Sequence, residues 1–191
     1  MGRDTPTSNP MDPLTRQLCQ FPIFQGVSTA ALRELVATCD VLQFQTRDQV
    51  LSQGGASDVA YLVVDGMLEV SVQTERTWHH IAEIHPGDVV GESALYVYGV
   101  SRNATVFAHR DTHCLVLRPA NLRQLTNNEA VVALEVSLIA SLSRRIRKTN
   151  VEIQSAWKEQ APAAGSKSTE EMAPTTIAAR LRRLFRGRNP S

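Results

Sequence analysis

The chain has few cysteines, almost no net charge and no long apolar run, and each shortage excludes a class of protein. Its three cysteines lack metal-ligand spacing, which favours reduced thiols in a cytoplasmic protein over a disulfide scaffold. The formal net charge of +1 gives no general attraction to nucleic acid or membrane, so a basic site must be local. No stretch approaches the roughly 20 apolar residues that span a bilayer, and the proline-bearing N-terminus lacks the apolar core of a signal peptide.

Signatures of a metal site or a catalytic centre are also missing. His79 and His80 are adjacent, so on a strand their side chains point to opposite faces. The remaining three histidines show no ligand spacing, and no nucleophile–base pattern is present. The sequence therefore predicts a protein that is not an enzyme and that holds no metal.

Short apolar runs dominate the chain after Val41 and predict a mainly β fold. Gly, Asp, Asn and Ser separate these runs, which is typical of short strands. Asp65-Gly66 predicts a hairpin turn, and further strands are predicted at 78–84, 103–109 and 113–118. Before them, a helical segment begins near residue 12, and Ser28 is placed to cap a second helix. This pattern predicts an antiparallel β-sandwich or jelly-roll with flanking helices.

A long helix is predicted over residues 129–158, which contain neither Gly nor Pro. Asn128 is a plausible N-cap, and the helix would extend about 45 Å. Its apolar positions alternate by three and four as in a heptad, and they include Ile139, Leu142, Ile146, Thr149, Ile153 and Ala156. This stripe favours a parallel homodimer through 129–158, and the alternative is a helix that lies on its own β domain.

The two ends of the chain differ in composition from its centre. Residues 1–11 are polar and contain proline, so we expect disorder there, followed by a β domain over 12–128. Residues 159–174 form a low-complexity linker. Residues 175–191 predict a basic amphipathic tail, because Ile177, Leu181, Leu184 and Phe185 share one face among arginines. A solvated, disordered end is the alternative for this tail.

The most informative motif places a carboxylate and a guanidinium on either side of a short turn. It reads Gly91-Glu92-Ser93-Ala94-Leu95, followed by Ser101-Arg102-Asn103-Ala104-Thr105. A guanidinium binds phosphate with a planar set of donors, and a carboxylate accepts a hydrogen bond from a sugar hydroxyl. Small residues allow backbone N–H groups to approach an anion closely. The motif therefore indicates a nucleotide site.

These residues resemble the phosphate-binding cassette of the cyclic nucleotide-binding domain, written F-G-E-x-A-L and P-R-x-A-T. Val90 replaces the aromatic residue and Ser101 replaces the proline, while the glycine, glutamate and arginine are present. The resemblance covers roughly residues 20–157. It implies a ligand site in which Arg102 binds the cyclic phosphate and Glu92 the ribose 2′-hydroxyl. It also implies that Gly91, Ser93 and Ala94 offer N–H groups at a helix start.

Base selectivity follows less directly from the resemblance. In the family, threonine at the position of Asn103 favours guanine in some relatives and serine occurs in adenine binders, and asparagine matches neither. The segment 143–150 resembles the dimer helix of the catabolite-activator (CRP/FNR) family, in which a threonine lies over the adenine amino group. The matching positions are Thr149 and Asn150, and Arg145 would face the ligand or belong to a solvated basic face. Cyclic AMP (cAMP) is therefore expected, with cyclic GMP (cGMP) as the alternative.

Members of the activator family continue into a helix-turn-helix domain, and residues 159–191 are too few and too rich in Pro, Ala, Gly and Ser to form one. We therefore expect a stand-alone cAMP sensor, cytoplasmic or peripheral at the membrane, and no sequence-specific DNA binding. Its output would pass to an effector protein or an anionic membrane through 175–191. The alternative is an activator-like regulator or scaffold that uses this tail on nucleic acid or membrane, with cGMP or no nucleotide bound.

Overall fold

A computed structural model describes residues 12–160 except 57, 76 and 98. The described residues fall into two units, 12–147 and 148–160, and each is described by itself. The predicted segments 1–11, 161–174 and 175–191 lie outside the described residues. None of the described helices has the length and apolar character that crossing a membrane requires.

Three short helical elements precede the sheet. They are α1 (Pro13–Leu18), a 3₁₀ helix (Pro22–Phe24) and α2 (Thr29–Thr38). The Ser28 hydroxyl accepts a hydrogen bond from the Ala31 N–H at 3.3 Å, which confirms the predicted N-cap of α2. Leu32 and Leu35 of α2 are fully buried in a core that also contains Leu18 and Phe24.

A six-stranded antiparallel sheet forms the body of the protein, as the sequence predicts. Its strands are β1 (Val41–Phe44), β2 (Gln49–Leu51), β3 (Ala60–Thr74), β4 (Thr77–Ile84), β5 (Val89–Val90) and β6 (Thr105–Leu117). The main path is β1-β6-β3-β4, while β2 pairs with β6 and β5 pairs with β3. The two long central strands bury apolar side chains on both faces, in two core clusters.

The predicted hairpin at Asp65-Gly66 is wrong, because β3 passes through both residues as one strand. Gly66 has a φ of +95°, and the pairing with β6 shifts register on both sides of Asp65. A Cβ at Gly66 would lie 2.5 Å from Cα of Thr112 on β6. The glycine therefore serves a β-bulge where two strands approach closely, and a bulge requires the same backbone freedom as a tight turn.

The predicted strands 103–109 and 113–118 are likewise parts of one strand. The polar residues between them, including Arg110, Asp111 and Thr112, lie within β6. The Thr112 hydroxyl accepts from the Met67 N–H at 3.0 Å, and the Arg110 guanidinium donates to the Gly66 carbonyl at 3.0 Å. The polar composition of this segment suggests a turn, but its side chains instead form hydrogen bonds to the bulge in β3.

Two helices follow the sheet, α3 (Pro119–Gln124) and α4 (Glu129–Gln160). The Asn128 Oδ1 accepts from the N–H groups of Ala130 and Val131, which confirms the predicted cap. One face of α4 packs on the body of the protein, and its buried residues are Ala130, Val131, Leu134 and Leu138. The opposite face exposes Val132, Val136, Ile139 and Ile146. The first unit thus places α4 on its own domain and also leaves an apolar stripe uncovered.

Candidate functional site

A cavity of about 380 Å³ lies between the sheet, the loop after β5 and α4. This volume suits a small-molecule ligand. Apolar side chains from the strands form one wall, among them Leu51, Val70, Ile84 and Val106. Residues of the predicted cassette form the second wall: Gly91, Glu92, Ser93, Arg102 and Asn103. The third wall comes from α4, with Ser137, Leu138, Ser141, Arg144 and Arg145.

Arg102 lies at the base of this cavity and is only 6% exposed. Its guanidinium donates to three backbone carbonyls, those of Ala56 at 3.2 Å, Gly91 at 3.0 Å and Val59 at 2.5 Å. The Asp58 carboxylate is 4.0 Å away. Burial lowers the pKa of the Arg102 guanidinium, and the nearby Asp58 carboxylate acts in the opposite direction. A buried cation among fixed carbonyls is well placed to meet an anion that enters the cavity.

Backbone contacts bring Arg102 to this position. Ser101 forms an isolated bridge with Ala56, and the Arg102 N–H donates to the Gly55 carbonyl at 3.1 Å. The Gly54 N–H donates in turn to the Arg102 carbonyl at 2.8 Å. The loop between β2 and β3 is therefore held to the cassette by the main chain and the side chain of one residue.

Gly91, the glycine of the cassette, is required by the backbone conformation and by its closeness to Arg102. It follows β5, has a φ of +76° and caps the 3₁₀ helix Glu92–Leu95. A Cβ at this position would lie 2.6 Å from Nη1 of Arg102. Only glycine combines this conformation with so close an approach to the guanidinium.

Of the three residues expected to offer backbone N–H groups to a ligand, Ser93 and Ala94 lie in different surroundings. The Ala94 N–H donates to the Gly91 carbonyl at 3.1 Å, so the 3₁₀ helix already uses it. The Ala94 side chain is buried and does not line the cavity, whereas Ser93 does. Ligand contact by Gly91, Ser93 and Ala94 stays a prediction.

Glu92 pairs with Arg145 of α4. Arg145 Nη2 on α4 lies 3.1 Å from Glu92 Oε1. The Glu92 side chain is 13% exposed and the Arg145 side chain 60%. The contact brings together two residues that the sequence places in the site 53 positions apart. It also sets α4 directly against the cassette.

The other predicted ligand residues lie in different surroundings. Asn103 is exposed and lines the cavity beside Arg102. Thr149 and Asn150 belong to the second unit, where both are exposed on α4. Their contact with a base stays a prediction.

Sequence reasoning missed the polar residues that α4 contributes before Arg145. Ser137, Ser141 and Arg144 all line the cavity together with Leu138. Their spacing by three and four places them on one helical face, which is a signal present in the sequence. Among the described residues, no three His, Cys, Asp or Glu side chains are grouped so as to hold a metal ion.

Comparison with known proteins gives matches over the same region. Residues 41–129 match the family model of the cyclic nucleotide-binding domain. The cAMP-dependent protein kinase regulatory subunit of Dictyostelium discoideum is 34% identical over 91 residues, which cover 44% of this chain and 28% of that protein. The cGMP-dependent protein kinase of Plasmodium berghei is 27% identical over 110 residues, which cover 58% of this chain and 12% of that protein.

The fold also matches solved structures. The catabolite activator protein of Thermus thermophilus superposes with a TM-score of 0.61 at 25% identity, covering 70% of this chain and 62% of that chain. Among the curated relatives, the matched segments cover between 12% and 58% of each protein, so the chain spans less than two thirds of their length. The sequence match, the fold and the position of Gly91 and Arg102 agree, and residues 41–129 of this chain belong to the cyclic nucleotide-binding domain family.

Proposed function

We propose that this protein is a cyclic nucleotide sensor that binds its ligand in the 380 Å³ cavity and signals through α4. The observation that carries the proposal is the buried Arg102 guanidinium, which three carbonyls hold beside the cassette. In a site shielded from water, each charge-assisted hydrogen bond contributes about 1.5–3 kcal/mol. The cyclic phosphate would bind at Arg102, and the ribose 2′-hydroxyl at Glu92.

The proposed ligand is cAMP, with cGMP as the competitor. Thr149 and Asn150 match the positions of the activator family that lie over an adenine amino group, which supports cAMP. The relatives include kinases named for cAMP and for cGMP, and Asn103 matches neither family preference. The base preference therefore has to be measured.

The proposed mechanism is regulation by binding and not by catalysis. Arg145 on α4 already contacts Glu92 of the cassette, so a ligand that bonds Glu92 changes the environment of the helix. The coupling free energy between a ligand site and a second binding site is typically about 1–3 kcal/mol, which is enough to change the occupancy of a partner. We place the protein in the cytoplasm, with an effector protein or an anionic membrane surface as the target of 175–191.

Isothermal titration of the full chain with cAMP and cGMP tests the proposal. The wild type is expected to bind at least one nucleotide, and Arg102→Lys, which keeps the charge but loses the planar set of donors, is expected to bind about 10-fold more weakly or worse. Arg147→Lys, in the exposed part of α4, is the matched control and should bind like wild type. Thermal unfolding of each variant reports whether it is folded. A folded wild type that binds neither nucleotide would refute the sensor.

We also propose that the protein is a homodimer through α4. The exposed stripe of Val132, Val136, Ile139 and Ile146 in the first unit supports this, because a surface helix seldom leaves an apolar face to water. In light scattering coupled to size exclusion, the wild type is expected to have twice the mass of Ile139→Glu. Ala140→Glu, which adds the same charge beside the stripe, should stay dimeric. A monomeric wild type would refute the dimer.

A further inference from the structure

The polar side chains that α4 contributes to the cavity have no role in the site as described so far. The buried side chains among the described residues of α4 are all apolar and end at Leu138: Ala130, Val131, Leu134 and Leu138. Ser137 and Ser141 add polar side chains to this face, and one turn after Ser141 it carries Arg145. This change from apolar to polar occurs where the helix begins to line the cavity.

The hydroxyl of Ser141 has no hydrogen-bond partner among the described residues, and the same holds for Ser137. Both side chains are half-buried. A hydroxyl withdrawn from water without a partner costs free energy, and serine is a poorer helix former than alanine. Within the part of the chain that the structure describes, neither hydroxyl contributes a hydrogen bond to the fold, and both line a cavity in which a ligand could supply a partner.

Two contacts set the direction of α4 relative to the cassette, and Ser141 lies between them on the helix. At one end of the 3₁₀ helix, Leu95 and Tyr96 share a groove with Val131 and Glu135 of α4. At the other end, Glu92 pairs with Arg145. The two helices therefore run in opposite directions past each other, Ser141 falls between these contacts along α4, and it lines the same cavity as Ser93.

We infer that the Ser141 hydroxyl binds the sugar–phosphate part of the cyclic nucleotide, so that α4 contacts the ligand directly before Arg145. The inference rests on the proposed function, since it assigns a contact within the same site. It follows from the cavity that Ser141 lines together with Glu92 and Ser93, the residues to which the proposed function assigns the ribose and phosphate. A contact of this kind is independent of the base.

Isothermal titration of the full chain with cAMP and with cGMP tests the inference. Ser141→Ala is expected to weaken whichever nucleotides bind by the same factor, about 3- to 10-fold. Ser143→Ala is the matched control, because Ser143 is a half-buried serine on the same helix that does not line the cavity. It should bind like wild type. Alanine favours the helix, so thermal unfolding should show that Ser141→Ala is at least as stable as wild type.

The remaining outcomes each contradict a specific statement. If wild type binds and Ser141→Ala binds equally well, the contact does not exist, while the sensor stands. If Ser141→Ala weakens only one of two bound nucleotides, the hydroxyl contacts the base, and the sugar–phosphate assignment is wrong. If folded wild type binds neither nucleotide, the proposed function fails and the inference fails with it.

Discussion

At the scale of single residues, Gly91 and Arg102 depend on each other. Gly91→Ala would place a methyl group 2.6 Å from Arg102 Nη1, so the guanidinium has to move. We expect Gly91→Ala to weaken nucleotide binding at least about 10-fold and to lower the free energy of unfolding by about 1–2 kcal/mol. Titration calorimetry and urea unfolding measure the two effects.

Gly26→Ala is the control for this prediction. Gly26 also has a positive φ, of +85°, but a Cβ there would meet nothing within 4 Å. It should lose a similar free energy of unfolding and keep full nucleotide binding. Equal binding by both variants would show that crowding at Arg102 does not matter.

A second residue-scale prediction concerns Glu92 and the ribose. If Glu92 accepts from the 2′-hydroxyl, wild type should prefer cAMP to 2′-deoxy-cAMP by about 10-fold, and Glu92→Ala should abolish this preference. Arg145→Gln is the control, since it breaks the ion pair of 3.1 Å but keeps the carboxylate. Competition binding with the two nucleotides measures the ratio. A preference that survives in Glu92→Ala would place the ribose elsewhere.

At the scale of elements, Asn128 joins the start of α4 to α2. Its Oδ1 caps α4 at the Ala130 N–H, while its Nδ2 donates to the Ala31 carbonyl at 3.1 Å and to Glu34 Oε2 at 2.8 Å. The residue is 6% exposed. One buried side chain thus satisfies both helices, which fixes the direction in which α4 leaves the domain.

Asn128→Ala removes the cap of α4 and both hydrogen bonds that the Asn128 amide donates to α2. We expect the free energy of unfolding to fall by about 2–4 kcal/mol. Ser28→Ala, which removes only the 3.3 Å cap of α2, should cost about 1 kcal/mol. Urea unfolding followed by circular dichroism compares the two variants. Equal losses would mean that the contacts of Asn128 with α2 contribute nothing.

At the scale of the whole molecule, several carboxylates link the fold to pH. The Ser28 N–H lowers the pKa of Glu129, the Thr46 N–H lowers that of Asp111, and a hydrogen bond from His80 lowers that of Glu69. A lowered pKa means that the folded state favours the charged carboxylate. The resulting stability is present above the ordinary values of 4.5 for Glu and 3.8 for Asp, and it is lost as the pH falls through the lowered pKa values.

We therefore expect the free energy of unfolding to decline from about pH 4.5 downward. Urea unfolding at a series of pH values measures the decline. Glu129→Gln should lower stability at neutral pH and reduce the slope in acid. Glu75→Gln, in the turn after β3, removes the same charge and should leave the slope unchanged. Equal slopes in wild type and Glu129→Gln would contradict the role of the Ser28–Glu129 contact.

The pattern of residues along the chain was sufficient to predict the mainly β fold, the starts of α2 and α4, and the grouping of Gly91 and Arg102 that the structure shows at one cavity. Short apolar runs mark strands, Ser28 and Asn128 mark helix starts, and Gly91 and Arg102 belong to a motif that resembles the phosphate-binding cassette. These are local signals, because the preference of a residue for a strand, a cap or a glycine turn depends on its nearest neighbours.

Only the tertiary structure decided which alternative each ambiguous signal followed. Asp65-Gly66 forms a bulge and not a hairpin because Thr112, 46 positions later, packs against Gly66. Glu92 pairs with Arg145 and not with Arg102 because α4 returns over the cassette, while Arg102 is held by the carbonyls of Ala56 and Val59. Ser141 lines the cavity for the same reason, because α4 packs over the cassette. Such contacts join distant segments, and their free energies depend on packing that no local pattern specifies.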